Sequence, residues 1–292
     1  MKRGDPRAVI LAGGISSRMK RSAAQSQIDS TLLKQAEERT KGMISLGEGG
    51  RPFLDYGLHN LFKAGVRDAV IVIGERDASL RSYYGEKDRD NEFHGLRISY
   101  AIQRIPAGRE KPMGTSDALL QALRVRADWK GGDFIVCNSD NLYSQRVYTM
   151  LLECDTPNSL IDYDRDGLEF DASRIAQFGI TRKDAEGFLL EIVEKPSLDE
   201  LERLRDNNGS IRVSMNIFRL NYDMIFRPLE ECPLNPVRNE QELVSAVTLM
   251  VQRYPKSLKA IPWREHVPDL TYKEDIATTS EYLRKHFAVF DW

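Results

Sequence analysis

The sequence predicts an α/β fold in three layers, with a mostly parallel central sheet between helices and a smaller mixed sheet in its second half. Three observations carry this. Short β-rich runs alternate with helical periods as far as Asp140, a glycine pair directly follows the first apolar run, and beyond Asp140 the pattern turns to strands and hairpins.

Taken in order, Ala8–Leu11 reads as the first strand. Phe53 to Ala64 sets Phe53, Leu54, Leu58, Leu61 and Phe62 at a helical period, with Gly65 as its stop. Ala69–Ile73 is a second buried strand and Leu96–Ala101 a third extended run. Ser116–Val125 is a helix with Leu119, Leu120 and Leu123 on one side, and Phe134–Cys137 is a fourth strand. All four strands deliver their carboxyl ends to one edge, where open α/β sheets bind ligands. Further strands are expected at Ser159–Tyr163, Ala176–Thr181, Phe188–Glu194 and Val213–Arg219, with Asp166-Gly167 and Glu186-Gly187 as turns. Glu240–Gln252 and Lys273–His286 read as helices. Met19–Thr40 is a polar, irregular insertion with a helix from about Thr31 to Arg39. One domain is expected over residues 1–292, in three parts: 1–145, 146–235 and a helical segment 236–292.

The composition narrows the classes of function. Hydrophobic residues at 41% and charged residues at 29% describe a soluble globular protein, and no apolar run is long enough to span a bilayer. The run Ala8 to Ala12 is also too short for the core of a signal peptide, so a cytoplasmic location is expected. With 42 basic against 44 acidic residues the net charge is −2, which argues against a general nucleic-acid or anionic-membrane surface. Cys137, Cys154 and Cys232 are odd in number and widely spaced, and His59, His94, His266 and His286 lack metal-ligand spacing.

The unusual residues fall at the ligand edge. In Leu11-Ala12-Gly13-Gly14-Ile15-Ser16-Ser17-Arg18-Met19 the glycines let backbone approach a ligand, and Arg18 can clamp phosphate oxygens. The string is not the G-x-G-x-x-G of a dinucleotide-binding turn, and no ribose-binding acid follows the second strand as a dehydrogenase requires. Phe134-Ile135-Val136-Cys137 runs into Asn138-Ser139-Asp140, which sets one carboxylate at the sheet edge beside a hard cation.

These segments, with others in the same order, resemble the sugar-1-phosphate nucleotidyltransferase family, in particular its uridylyl- and thymidylyltransferases. The resemblance implies a Rossmann-like, GT-A-like nucleotide-diphospho-sugar transferase fold and a reaction in which an NTP and a sugar-1-phosphate give an NDP-sugar and pyrophosphate. Leu11, Ala12, Gly13 and Gly14 would then contact the base, and Arg18 the triphosphate. Lys41-Gly42-Met43 through Arg51-Pro52-Phe53-Leu54-Asp55-Tyr56 is similar to the family's second element, which makes Lys41 the catalytic lysine, with Lys34 as the other candidate. Gln103 and Pro112-Met113-Gly114-Thr115-Ser116-Asp117-Ala118-Leu119 match the glutamine that pairs with the base and the Gly-Thr turn under the nucleoside. An amide can meet a donor and an acceptor on a pyrimidine edge, so UTP or dTTP is expected.

Asp140 and Asp269, the latter opening Asp269-Leu270-Thr271-Tyr272-Lys273-Glu274-Asp275-Ile276, would share Mg²⁺. Gln177-Phe178-Gly179-Ile180 and Ile192-Val193-Glu194-Lys195-Pro196 are similar to the sugar-side motifs. Glu194 would accept a sugar hydroxyl, Lys195 would hold the sugar phosphate, and Asn216 in Val213–Phe218 would complete the pocket beside Gly179. The partners implied are an NTP and a sugar-1-phosphate, hexose-1-phosphate first among them; the oligomeric state stays open, a homo-oligomer included. Two alternatives share the fold: a molybdopterin guanylyltransferase-like enzyme and a non-catalytic, ligand-sensing homologue. The Glu194-Lys195-Pro196 segment speaks against the first, and retention of two metal carboxylates against the second.

Overall fold

The computed structural model describes residues 5–22, 28–75, 77–194, 196, 203–206 and 209–292. Lys195 and residues 23–27 of the Met19–Thr40 insertion lie outside the described residues. Ten strands share one sheet: β1 (Arg7–Leu11), β2 (Asp68–Gly74), β3 (Asn91–Phe93), β4 (Leu96–Gln103), β5 (Asp133–Asn138), β6 (Asn158–Asp164), β7 (Gly179–Lys183), β8 (Leu189–Val193), β9 (Arg212–Asn221) and β10 (Leu258–Trp263). The order is β10-β6-β9-β5-β1-β2-β4-β3, with β7 and β8 branching from β9. β5, β1, β2 and β4 run parallel as neighbours, and β9 is antiparallel to both β5 and β6.

Side-chain alternation explains the three layers. Ala8 and Ile10 of β1 and Ala69, Ile71 and Ile73 of β2 enter one core, while Val9, Leu11, Val70 and Val72 enter the other. The first core is covered by α3 (Phe53–Lys63), α4 (Ala78–Tyr84) and α6 (Gln145–Glu153). The second lies under α5 (Thr115–Val125), α8 (Tyr222–Glu230) and α9 (Leu243–Arg253). A third, smaller core joins Met19 of α1 (Ser17–Arg21) and Ala36 of α2 (Ser30–Glu38) to Ile44, Phe53, Leu142, Leu270 and Ile276 of α10 (Asp275–His286). It ties the insertion to the C-terminal segment. The short helix α7 (Ala172–Ile175) precedes β7. Among the described residues no helix is long and apolar enough to cross a membrane.

Two expectations need revision. The second half does not form a sheet of its own: β6, β9 and β10 extend the central sheet, and only the β7–β8 hairpin branches off. The cause is the length of β9, whose Phe218–Asn221 lie against β5 while Val213 and Ser214 lie against β7. The strand expected over Ala176–Thr181 begins only at Gly179, because Asp171 caps α7 through the Arg174 amide and turns the preceding residues helical.

Candidate active site

β1 lies between β2 and β5, parallel to both, so the crevice outside its carboxyl end is the switch point at which such sheets hold ligands. Two loops leave the sheet there. The first, after β1, is anchored by the Ala12 amide on the Val72 carbonyl (2.9 Å) and the Ser139 amide on the Leu11 carbonyl (3.1 Å). A Cβ at Gly13 would stand 2.9 Å from Gln103 Oε1, so any side chain there would have to displace that amide. Gly14 is exposed with nothing within 4 Å of the place a Cβ would take, and its φ is not left-handed; its neighbours within the chain do not demand a glycine. Ser16 turns the chain with a φ of 55° and opens α1, from which Arg18 stands exposed at the cleft.

The second loop carries Asp140. Lys41, in a single 3-10 turn Lys41–Met43, is buried and sets its ammonium 2.8 Å from Asp140 Oδ2. Gly42 makes this approach: a Cβ there would press on the Ser139 carbonyl at 3.2 Å. Lys34 is exposed on α2, so the structure brings Lys41, and not Lys34, to the carboxylate. Asp269 reaches the same place from the C-terminal segment, since the Leu270 amide donates to the Asp140 carbonyl (2.8 Å) and Asp269 forms a β-bridge with Asn141. Arg174 of α7 meets Asp269 Oδ2 at 2.9 Å and also pairs with Asp275, and the Thr271 hydroxyl donates to Asp269 at 3.0 Å. Burial and then the Asp140 charge push the Asp269 carboxyl above its ordinary value, while Arg174 and Lys41 oppose the shift.

Among the described residues no three His, Cys, Asp or Glu side chains gather to hold a metal by themselves. Two carboxylates whose charges repel across one cleft, Asp140 and Asp269, fit a cation that completes its shell with phosphate oxygens and water, the habit of Mg²⁺.

The two sets of expected site residues differ. Arg18, Asp140, Asp269, Gly179, Glu194 and Asn216 all line one solvent-open cleft. Asn216 sits at a bulge, where Phe218 opposes Leu160 and Ser214 opposes Asp162, and has a φ of 57°. The residues expected to contact the nucleoside, Gln103, Gly114 and Thr115, do not line this cleft and are engaged internally. The Thr115 hydroxyl accepts from the Leu243 amide (2.9 Å), and Gly114, at a φ of 112°, is packed so that a Cβ would lie 2.5 Å from the Gln241 carbonyl. Gln103 directs Nε2 to the Gly114 carbonyl and to Asp117 Oδ2, both at 2.8 Å. The pairing expected of Gln103, a donor and an acceptor offered together, is thus not what this arrangement presents. Arg174, Asp117 and Arg238 were not foreseen; Arg238 lines the cleft, 3.7 Å from Glu194. Only Asp117 had a visible signal, its place inside the Gly-Thr segment one helical turn before Gln121.

A glycine loop, a buried lysine on a sheet-edge carboxylate and a second carboxylate across one cleft define the class: an α/β protein with its polar residues gathered at the switch point of a mostly parallel sheet. The family model described as nucleotidyl transferase matches residues 32–286, and the chain belongs to that family. It is 22% identical to a glucose-1-phosphate adenylyltransferase of Bifidobacterium animalis subsp. lactis, over 76% of this chain and 50% of that protein. It is 27% identical to the bifunctional protein GlmU of Symbiobacterium thermophilum, over 69% of this chain and 36% of that protein. The chain thus spans half or less of the length of these relatives. A crystal structure of UDP-glucose pyrophosphorylase complexed with UDP-glucose shares the fold, with a TM-score of 0.67 and 17% identity, over 97% of this chain and 99% of that one.

Proposed function

We propose that this chain is a magnesium-dependent sugar-1-phosphate nucleotidyltransferase that joins the nucleoside monophosphate of UTP or dTTP to a hexose-1-phosphate. The observation that carries the reading is the single cleft lined by Arg18 from the first loop, Asp140 and Asp269 from two distant segments, and Gly179, Glu194 and Asn216 from the β7–β9 side. NTPs and sugar phosphates are cytoplasmic metabolites, which supports a cytoplasmic site of action.

In this reading a phosphate oxygen of the sugar phosphate attacks the α-phosphorus in line, and the bond to pyrophosphate breaks. Arg18 meets the triphosphate. Lys41 moves its ammonium from Asp140 toward the α-phosphate and offsets the charge spreading over its oxygens as the bond changes hands. Glu194 and Asn216 orient the sugar, and Lys195, by its motif, binds the sugar phosphate. Mg²⁺ held by Asp140 and Asp269 would neutralise phosphate charge and raise the leaving ability of pyrophosphate. Arg174 keeps Asp269 aimed into the cleft.

Pyrophosphate release measured over a grid of NTPs and sugar-1-phosphates tests this directly. Release is expected only when both substrates and Mg²⁺ are present. Sugar-independent NTP breakdown, or release that persists in EDTA, would overturn it.

A further inference from the structure

We infer that Asp117 is a specificity-determining residue: it fixes the Gln103 amide with its carbonyl outward, so that the nucleobase must offer a ring N–H. The inference rests on the reading of Gln103 as the base contact and deepens it from a glutamine to a fixed hydrogen-bond direction.

An amide side chain has two N–H donors and one carbonyl acceptor, and its two ends are interchangeable in shape. Here chemistry removes the ambiguity. Nε2 of Gln103 lies 2.8 Å from the Gly114 carbonyl and 2.8 Å from Asp117 Oδ2, and both partners can only accept. Turning the amide over would set Oε1 against two oxygens and leave both unpaired, which is unfavourable for a side chain only 3% exposed. Asp117 is itself held, because its other oxygen accepts from Gln121 Nε2 at 2.8 Å, one turn further along α5. The carboxylate cannot swing away without breaking that bond.

What is left of Gln103 is therefore Oε1 alone. It accepts no hydrogen bond among the described residues, and it faces the glycine loop, 2.9 Å from where a Cβ of Gly13 would stand. A carbonyl with open lone pairs, on a side chain only 3% exposed and facing the loop that leaves β1, selects a base whose facing ring nitrogen carries hydrogen. Uracil and thymine at N3, and guanine at N1, meet that requirement. Cytosine at N3 and adenine at N1 bring a bare lone pair against the carbonyl and are disfavoured.

The test needs the wild-type enzyme and one variant. In kcat/KM for pyrophosphate release, the preferred NTP should exceed its ring-N-methylated form (3-methyl-UTP for UTP, 1-methyl-GTP for GTP) by roughly 10²-fold, because the methyl removes the one donor the carbonyl can use. Asp117→Asn replaces one of the two acceptor-only partners of Nε2 by an amide that can also donate, so a turned Gln103 is opposed by the Gly114 carbonyl alone and turning becomes less costly. The ratio of UTP to CTP should then fall at least about tenfold with the KM for sugar-1-phosphate unchanged, a change that a purely structural role for Asp117 would not produce. ATP or CTP as the best substrate, methylated NTP used as well as its parent, or an undiminished ratio in Asp117→Asn would each overturn the inference while leaving the transferase reading intact. If Asp117→Asn fails to fold, Asp117→Ser, whose hydroxyl can donate or accept, takes its place and the same UTP-to-CTP ratio decides. No pyrophosphate from any NTP would instead break the transferase reading.

Discussion

The sugar-side cleft and the Gln103 region, whose residues do not line that cleft, are built on opposite principles. Where the nucleoside is proposed to bind, Gln103, Gly114, Thr115 and Asp117 bond to one another or to the start of α9, so their arrangement is set before any ligand arrives. The sugar side keeps a bulged β9 with Asn216 in a left-handed conformation, a hairpin that branches off the sheet, and an open cleft. In the cleft stand two carboxylates, each already paired with a protein cation, Lys41 on Asp140 and Arg174 on Asp269. The contrast teaches that a hydrogen-bonded region can enforce a fixed hydrogen-bond pattern, while an open, bulged one can present side chains that the sheet alone would not aim.

The largest effect is expected at the cleft carboxylate that meets Lys41. Asp140→Asn removes the proposed metal ligand and the partner of Lys41 together, so kcat should fall by roughly 10³-fold or more with the fold retained by circular dichroism. An Asp140→Asn enzyme within tenfold of wild type would show that the cleft centre lies elsewhere. Next comes the lysine. Lys41→Ala should lower kcat by about 10²-fold, the scale of a lost transition-state donor, while exposed Lys34→Ala stays near wild type. The reverse pattern would move the catalytic lysine into α2.

Arg174→Met is expected to act first on stability. Asp269 is buried and its carboxyl already sits above its ordinary value, so removing its guanidinium partner should cost about 2 kcal/mol at neutral pH, read from urea unfolding. The sign with pH follows from linkage. An acid whose folded pKa exceeds its unfolded one binds protons more tightly when folded, so the loss should shrink as pH falls through that raised pKa. A loss that instead grows on acidification would mean that Asp269 is not the charge left unpaired.

Much of this arrangement was legible beforehand, and what was hidden has physical causes. The four parallel strands announce themselves as apolar runs because both faces are buried, and Asp140 is visible as the polar end of such a run. β10 escaped notice because Pro262 interrupts it, which only an edge strand tolerates, and β10 pairs with β6 alone along the main order of the sheet. Pro228 masked α8 in the same way. α6 carried a readable signal in Ser144, which caps Val147 ahead of the buried Val147, Tyr148 and Leu151. Arg174 had none: it is 95 residues from Asp269 in sequence, and nothing local marks a polar four-residue helix as a partner of a distant carboxylate.

The smallest effect sharpens the contrast between the two regions most. Asn216 holds a left-handed φ of 57°, a conformation that glycine adopts without penalty and that an L side chain adopts at some cost. If the position served the bulge alone, Asn216→Gly would be neutral or stabilising by up to about 1 kcal/mol, part of the relief being offset by the greater freedom of glycine in the unfolded chain. If the side chain contacts the sugar, the same substitution should also raise the KM for sugar-1-phosphate several-fold while the KM for NTP stays put, because only the β9 side has changed. Asn216→Ala separates the two contributions further, since alanine loses the polar contact and keeps the strain, so it should be both less stable and weaker in sugar binding. Strain retained at a cleft residue when glycine would relieve it is the mark of a side chain kept for its ligand. Unchanged sugar KM in Asn216→Gly, alongside a rise in stability, would assign the asparagine to the backbone and leave Glu194 and its neighbours to read the sugar.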